Sequence, residues 1–430
     1  MVAAGRGAVR GRALAGPRKV LVRLALRGDR RCAIVPGSNC LALSSSEVLV
    51  NVPLVSFDEM KDRIARLRQV MAAHDLDLAF LSSPQTIAYL TNFGSTGYYL
   101  PHFLVLAQEG PETFVIRDFE VPTLEQATAT PGVMAWGQER TFYHALKEVL
   151  AKHCGKDEPR IGVEGASNFT PYRNILALSA ISGGQLVDIS PDVEALRRVK
   201  SPSELSKIET AGRATVGAVE ASIKTLSIGV SEKQLSLEIL TGMIDRGSDF
   251  PVSIPYVYFG DRTRLAMQQP TDASLGAKDP IYIECGARCG YYTAALTRTG
   301  AAQPDQEYTE IYGHMRSAFD LMLGSLRAGA ISADVDAQAR LYLRKHGLEK
   351  WWFHRGGYSL GIGFTPGWGE GMVLDISPDN RMAIPEGAVL HLVSLIRHHG
   401  YGFIGMSETV IVELERARSV TPFSRECIML

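Results

Sequence analysis

The sequence predicts a small α/β domain over residues 53–192 and a larger α+β domain over residues 197–430, behind an extension of residues 1–52. Three observations carry this reading. Short apolar strands alternate with amphipathic helices through the first stretch. Helices come first and strands collect after them in the second. Between the two, "LRRVKSPSELSK" passes from a basic turn into a strong helix-start signal.

In the first domain, "SFDEMKDRIARLRQVMAAHDL" is an amphipathic helix, with Ile64, Leu67, Val70 and Met71 at helical spacing. Ser56 is its N-cap, and Glu59 three residues on completes the capping-box pattern. "LDLAFLSS" is a short apolar strand. "HFLVLAQEGPETFVIRD" is two strands joined at Glu-Gly-Pro, and "PRIGVEG" and "QLVDISP" are further strands bounded by Gly or Pro.

The second domain opens with Ser201, Pro202 and Glu204, which start a long helix through "RATVGAVEASIKTL". "SEKQLSLEILTGMIDRG" is a second helix, closed by Gly247. "PVSIPYVYF" and "PIYIECGARCGYYTAALTRTGAA" are strands, the latter a hairpin turning near Gly286 to Gly290. "EYTEIYGHMRSAFDLMLGSL" and "SADVDAQARLYLRKHGL" are two more helices, and strands dominate from Trp351 onward. No internal repeat is visible in the residues, and no low-complexity tract follows residue 50.

Composition bounds the partners. A hydrophobic content of 46% and a charged content of 21% fit a globular chain. The formal net charge of −1 gives no electrostatic drive toward nucleic acid or an anionic membrane. No apolar run has the length of a membrane span. The six cysteines are scattered, so a reducing compartment and a cytoplasmic location are expected. Cys285 and Cys289 lack the further donors that a zinc site needs. Residues 1–31 are rich in Arg, Ala and Gly, with Asp29 their only acid, a composition similar to organelle transit peptides.

Four C-terminal motifs narrow the reading. "IYIECGARCGYYTAALTRTG" resembles a pattern in which one Asp opens a strand and a second follows eleven residues later; here they are Glu284 and Ala295. "RGGYSLGIG" resembles Gly-His-x-x-Gly, with Tyr358 for the His. "IPEGAVLHLVSL" resembles Pro-Gly-Met-x-hydrophobic-x-x-Glu-Pro, with Val393 for the Glu. "GMSETVIVE" resembles the segment of a last, bridging Glu, with Ser407 in its place. The pattern is that of the creatinase, prolidase and aminopeptidase P superfamily, whose C-terminal domain has the pita-bread fold. Its peptidases hold two metal ions on five ligands. Alanine and valine coordinate nothing, and Glu284 alone keeps a good donor.

"GGYSLGIGFTPGWGEGMVLDISPDNRMAIPEGAVLHL" resembles, within that superfamily, the metal-free ectoine hydrolases. The resemblance implies a homodimer that needs no metal or cofactor. It also implies hydrolysis of a non-peptide C–N bond in a small, charged, nitrogen-rich solute. The alternatives are an Xaa-Pro dipeptidase or aminopeptidase P-type peptidase, and an inactive binding protein.

Glu284 is the leading candidate residue, as a carboxylate set in an apolar strand that can stabilise a cation and act as base or nucleophile. Tyr358 is expected to point inward and donate a hydrogen bond, with Tyr292 beside it. Trp368 and Tyr98 offer aromatic faces to a cation. Glu370, between glycines, is expected to meet the charged substrate, Arg298 to hold a substrate carboxylate, and His354 to move a proton. Met267 stands where the superfamily carries a proton-shuttling His, seventeen residues before Glu284.

Overall fold

The computed structural model of the protein describes residues 54–128, 131–370 and 373–430. The expectations for residues 1–52, including the targeting reading, lie outside the described residues. The first domain is a six-stranded sheet. Its strands are β1 (Leu78–Leu81), β2 (Phe103–Ala107), β3 (Thr113–Arg117), β4 (Gly132–Trp136), β5 (Arg160–Val163) and β6 (Gln185–Asp188). They lie in the order β4-β3-β2-β1-β5-β6. The sheet is mixed, with β1–β2 and β2–β3 antiparallel and the remaining pairs parallel. Helices α1 (Phe57–Ala73), α2 (Pro84–Thr91), α3 (Val121–Ala127), α4 (Phe142–His153), α5 (Tyr172–Ser182) and α6 (Ser190–Leu196) surround it. The Ser56 hydroxyl caps α1 by accepting from the Glu59 N–H, and Arg63, Ile64, Leu67 and Met71 are buried along one face.

The second domain begins with α7 (Pro202–Thr225), whose capping box is complete: Ser201 and Glu204 each bond the other's backbone N–H. The helix α8 (Glu232–Asp245) follows, then β7 (Tyr256–Phe259), β8 (Pro280–Cys289) and β9 (Tyr292–Ala301). A second helix pair, α9 (Gln306–Ser325) and α10 (Ser332–Lys345), precedes the other strands. These are β10 (Gly357–Phe364), β11 (Gly367–Gly369), β12 (Asp375–Ile376), β13 (Val389–His398), β14 (Gly402–Val412) and β15 (Ala417–Ser419). The sheet runs β11-β10-β13-β14-β9-β8-β7. This is the α+β pita-bread arrangement. No helix among the described residues is long and apolar enough to cross a membrane.

Two details correct the sequence reading. The β8–β9 hairpin turns at Gly290 and Tyr291, both at positive φ (52° and 68°), whereas Gly286 sits mid-strand opposite Ala295. Two consecutive left-handed residues make the tight turn that matches strand twist. Tyr291 is held there by stacking on Phe364 at 5.1 Å and by donating to the Gly94 carbonyl at 2.7 Å.

An internal repeat is present after all. The helices α7 and α9 end at Thr225 and Ser325, are joined to their partners through Gly229 and Gly329 at positive φ, and the partners end before Gly247 and Gly347. Each pair is followed by three long-range strands, β7-β8-β9 and β10-β13-β14. The two triplets meet where β9 pairs with β14.

Candidate active site

Residues directly opposite in a sheet share a face. The register Tyr256↔Glu284↔Thr297↔Ser407↔Val393 therefore lines one face across the seam between the repeats. Tyr358↔His391 continues it, because His391 is two residues from Val393. Tyr282, two residues from Glu284, joins the same face, opposite Tyr258. The former ligand positions Glu284, Ala295, Tyr358, Val393 and Ser407 thus converge, as the motifs imply.

Glu284 is half-buried. It accepts the Tyr282 hydroxyl at 2.7 Å and the Thr297 hydroxyl at 3.3 Å. Among the described residues no Lys or Arg pairs with it. Burial raises its carboxyl above the usual range, and the two hydroxyl donors offset only part of that. Around it stand aromatic rings. Tyr258 stacks on Tyr282 at 5.4 Å, Tyr282 contacts Phe403 at 5.5 Å, and Tyr256 meets Trp368 edge-on at 6.0 Å.

A hydrogen-bond chain runs beside the carboxylate. The Trp368 Nε1–H donates to the Tyr358 Oη at 2.8 Å. The same oxygen lies 2.8 Å from His391 Nδ1, and His391 Nε2 lies 2.5 Å from Ser407 Oγ. His391 and Ser407 are both fully buried. Desolvation holds His391 down to about 3, so its ring is neutral near pH 7. Burial, then the Glu284 charge, keeps the Tyr358 phenol far above its ordinary range and protonated. Arg355, anchored by Asp375 at 2.5 Å, covers the Tyr358 ring at 4.4 Å. His354 stands at the edge of this group, its ring 6.3 Å from Tyr358 and its Nδ1 on the Arg355 carbonyl at 2.7 Å.

Four expected site residues lie elsewhere. Arg298 is buried on the opposite face. Its five N–H donors go to the Glu408 carboxylate and to the carbonyls of Thr297, Ser407, Phe423 and Ser424, which leaves none for a substrate. Tyr292 points away from Glu284 by strand alternation, and its hydroxyl donates to Glu204 at 2.8 Å behind the sheet. Glu370 is buried against Lys200 at 2.7 Å and also accepts from the Ile362 N–H and the Ser359 hydroxyl. Tyr98 reaches the β10–β11 turn, donating to the Thr365 carbonyl and meeting Phe364 edge-on at 5.8 Å, without joining the Glu284 group.

Sequence reasoning missed Tyr256, Tyr258, Tyr282 and His391. Their signal was the period of two: Tyr282 precedes Glu284 by two residues, and His391 precedes Val393 by two. Met267, at the proton-shuttle position, is 84% exposed at positive φ. Its neighbour Gln268 is clasped by the Tyr258 hydroxyl, which bonds both its N–H and its carbonyl at 2.9 Å.

The donor set does not fit a pair of metal ions. Ala295 and Val393 supply nothing. Among the described residues no group of three or more His, Cys, Asp or Glu side chains is placed to hold a metal ion.

Residues 206–413 match the model of metallopeptidase family M24, and residues 63–199 match the creatinase/prolidase N-terminal domain. The chain belongs to the M24 family. This M24 chain is 21% identical over 370 residues to an Xaa-Pro dipeptidase of Pyrococcus furiosus, covering 86% of the chain and 100% of the relative. It is 24% identical over 385 residues to an uncharacterised hydrolase/peptidase of Sinorhizobium fredii, covering 86% and 97%. Among solved structures, prolidase from Thermococcus sibiricus superposes with a TM-score of 0.79 at 22% identity, covering 87% of this chain and 100% of that one. The N-terminal domain of the FACT complex subunit SPT16 from chickpea superposes with a TM-score of 0.72 at 14% identity, covering 87% and 99%. At these identities the likeness establishes the fold. The M24 site itself, a lone carboxylate among aromatic faces beside a neutral hydroxyl–imidazole chain, suits a cation.

Proposed function

We propose that this M24 chain hydrolyses a C–N bond, amidine or amide, in a small, positively charged, nitrogen-rich solute, without a resident metal pair. One observation carries the reading. Glu284 is a half-buried carboxylate that meets only hydroxyl groups, so a cationic guest would supply its missing counter-charge. Aromatic faces around it add to the attraction. An amidinium carbon is already electron-poor. Glu284 then takes a proton from water as the water oxygen adds to that carbon. The C–N bond breaks and the nitrogen leaves with a proton. Ectoine-type ring opening is the specific case suggested by the motif resemblance. A homodimer, also implied there, belongs to the same proposal.

A second reading is a dipeptidase of the Xaa-Pro type, favoured by the relatives' names. The residues at the ligand positions oppose it. A binding-only role is the third outcome.

Isothermal titration with acetamidinium, guanidinium and ectoine, followed by product analysis, tests the proposal. Binding by the wild type that is lost in Glu284→Gln, with ring-opened product, is expected. Turnover of Ala-Pro after manganese addition, with two ions bound per chain, would overturn it. A guest that binds and is recovered unchanged establishes the binding-only role.

A further inference from the structure

We infer that the Tyr358 hydroxyl is a hydrogen-bond donor to the guest held at Glu284, and that His391 is a positioning residue that turns it there by holding its own proton on Nδ1. The inference rests on hydrogen-bond accounting. Neutral imidazole has one N–H and one acceptor nitrogen. Its two neighbours are the Ser407 hydroxyl at Nε2 and the Tyr358 oxygen at Nδ1. Ser407 Oγ is fully buried, and among the described residues His391 Nε2 is the one acceptor its proton reaches. A proton on Nε2 would therefore leave the Ser407 hydroxyl without an acceptor in a dry site.

Placing the proton on Nδ1 satisfies every group. Ser407 donates to Nε2. Nδ1–H donates to the Tyr358 oxygen, which also accepts from Trp368 Nε1–H. Both lone pairs of that oxygen are then engaged on the protein side. Tyr358 is half-buried and shares the face of Glu284, so its own O–H is left to turn out from that face. In the proposed reaction this hydroxyl faces an acceptor atom of the guest or the departing nitrogen, while Glu284 faces the cation. The assignment of roles deepens the cation reading but can fail independently of it.

The test is long-range proton–nitrogen correlation spectroscopy on the full chain labelled with nitrogen-15 histidine, with His391→Asn identifying the His391 signals. A neutral ring protonated at Nδ1 is expected; protonation at Nε2 would overturn the inference, whatever the protein binds. Titration with two probes of the same cation, methylguanidinium and guanidinoacetate, reads the hydroxyl itself. Tyr358→Phe is expected to weaken guanidinoacetate about tenfold, the scale of a hydrogen bond to a charged acceptor, and to leave methylguanidinium unchanged. His391→Asn, which can keep an N–H near the Nδ1 position, should behave as wild type. His391→Gln, which places its amide near Nε2, should follow Tyr358→Phe. Equal losses for both probes would overturn the role of the hydroxyl. If wild type binds neither probe, the cation reading of Glu284 falls, and the imidazole spectrum alone decides the proton position.

Discussion

Glu284 is held in a protein environment that disfavours its charge, and that has a measurable consequence. Its folded pKa lies above the ordinary 4.5. Below the unfolded value both states are protonated and the residue leaves stability untouched. As pH rises, the unfolded chain ionises first, so stability falls through the folded pKa. Glu284→Gln is therefore expected to raise stability near pH 7, with the gain fading as pH falls toward the ordinary value of 4.5. Thermal unfolding across pH measures it; a mutant less stable at pH 7 would contradict the burial argument. His391 has the opposite sign. Its folded pKa is near 3 against 6.5 unfolded, so its contribution is present above pH 6.5 and is lost as pH falls toward 3. His391→Asn should show a shallower loss of stability over that window. At this scale the structure brings Glu284, Tyr358 and Trp368 onto one group, and each sits inside or next to a motif. Arg298 and Tyr292 lie away from Glu284 for one physical reason. A motif places a residue near a site, but strand alternation decides which face its side chain takes.

Elements were legible where local signals were strong. The Ser56 cap, the Ser201 capping box and the helix-closing glycine Gly247 all act where the sequence placed them. The helix–helix repeat was not legible, because its two copies share spacing and turn glycines more than residue identity. The β10–β11 hairpin shows what sequence spacing cannot give. Its Glu370 finds Lys200, 170 positions earlier, between α6 and α7. Both side chains are essentially buried (1% and 0% exposed). Removing one partner strands the other charge in the interior, so Glu370→Leu is expected to destabilise by roughly 3–5 kcal/mol. Adding Lys200→Met should recover most of that. Chemical denaturation of the single and double variants checks it. A substrate-binding Glu370 would instead weaken guest affinity with little change in stability. Arg298→Met is expected to destabilise less than Glu370→Leu, since Glu408 keeps Arg425 as its partner at 2.8 and 2.9 Å while four carbonyls lose the guanidinium.

At the scale of the whole molecule, if the site holds no metal pair as proposed, the M24 sheet must secure its seam by other contacts. In a two-metal site, carboxylates from β8, β9, β13 and β14 would repel one another, and the ions would offset that repulsion. Here the seam between the two repeats keeps one carboxylate, Glu284, instead of several. Ala295, Val393 and Ser407 bring no charge, and the space beside them is taken by packed rings and by the chain from Trp368 to Ser407. On the metal-free proposal, the clasp across the seam is made by these hydrogen bonds and aromatic contacts. Stability should accordingly be independent of divalent ions. Dialysis against EDTA is expected to leave the melting temperature unchanged, and elemental analysis after loading with manganese, cobalt or zinc should find well under one ion per chain. Ligand binding to the folded state raises apparent stability by mass action. A melting temperature that climbs with metal concentration, and reverts on chelation, would therefore show that residues outside these five positions rebuild the centre. Conversely, Ala295→Asp with Val393→Glu places two new carboxylates near Glu284. That variant should be less stable than wild type without metal, because three like charges then share one partly desolvated face.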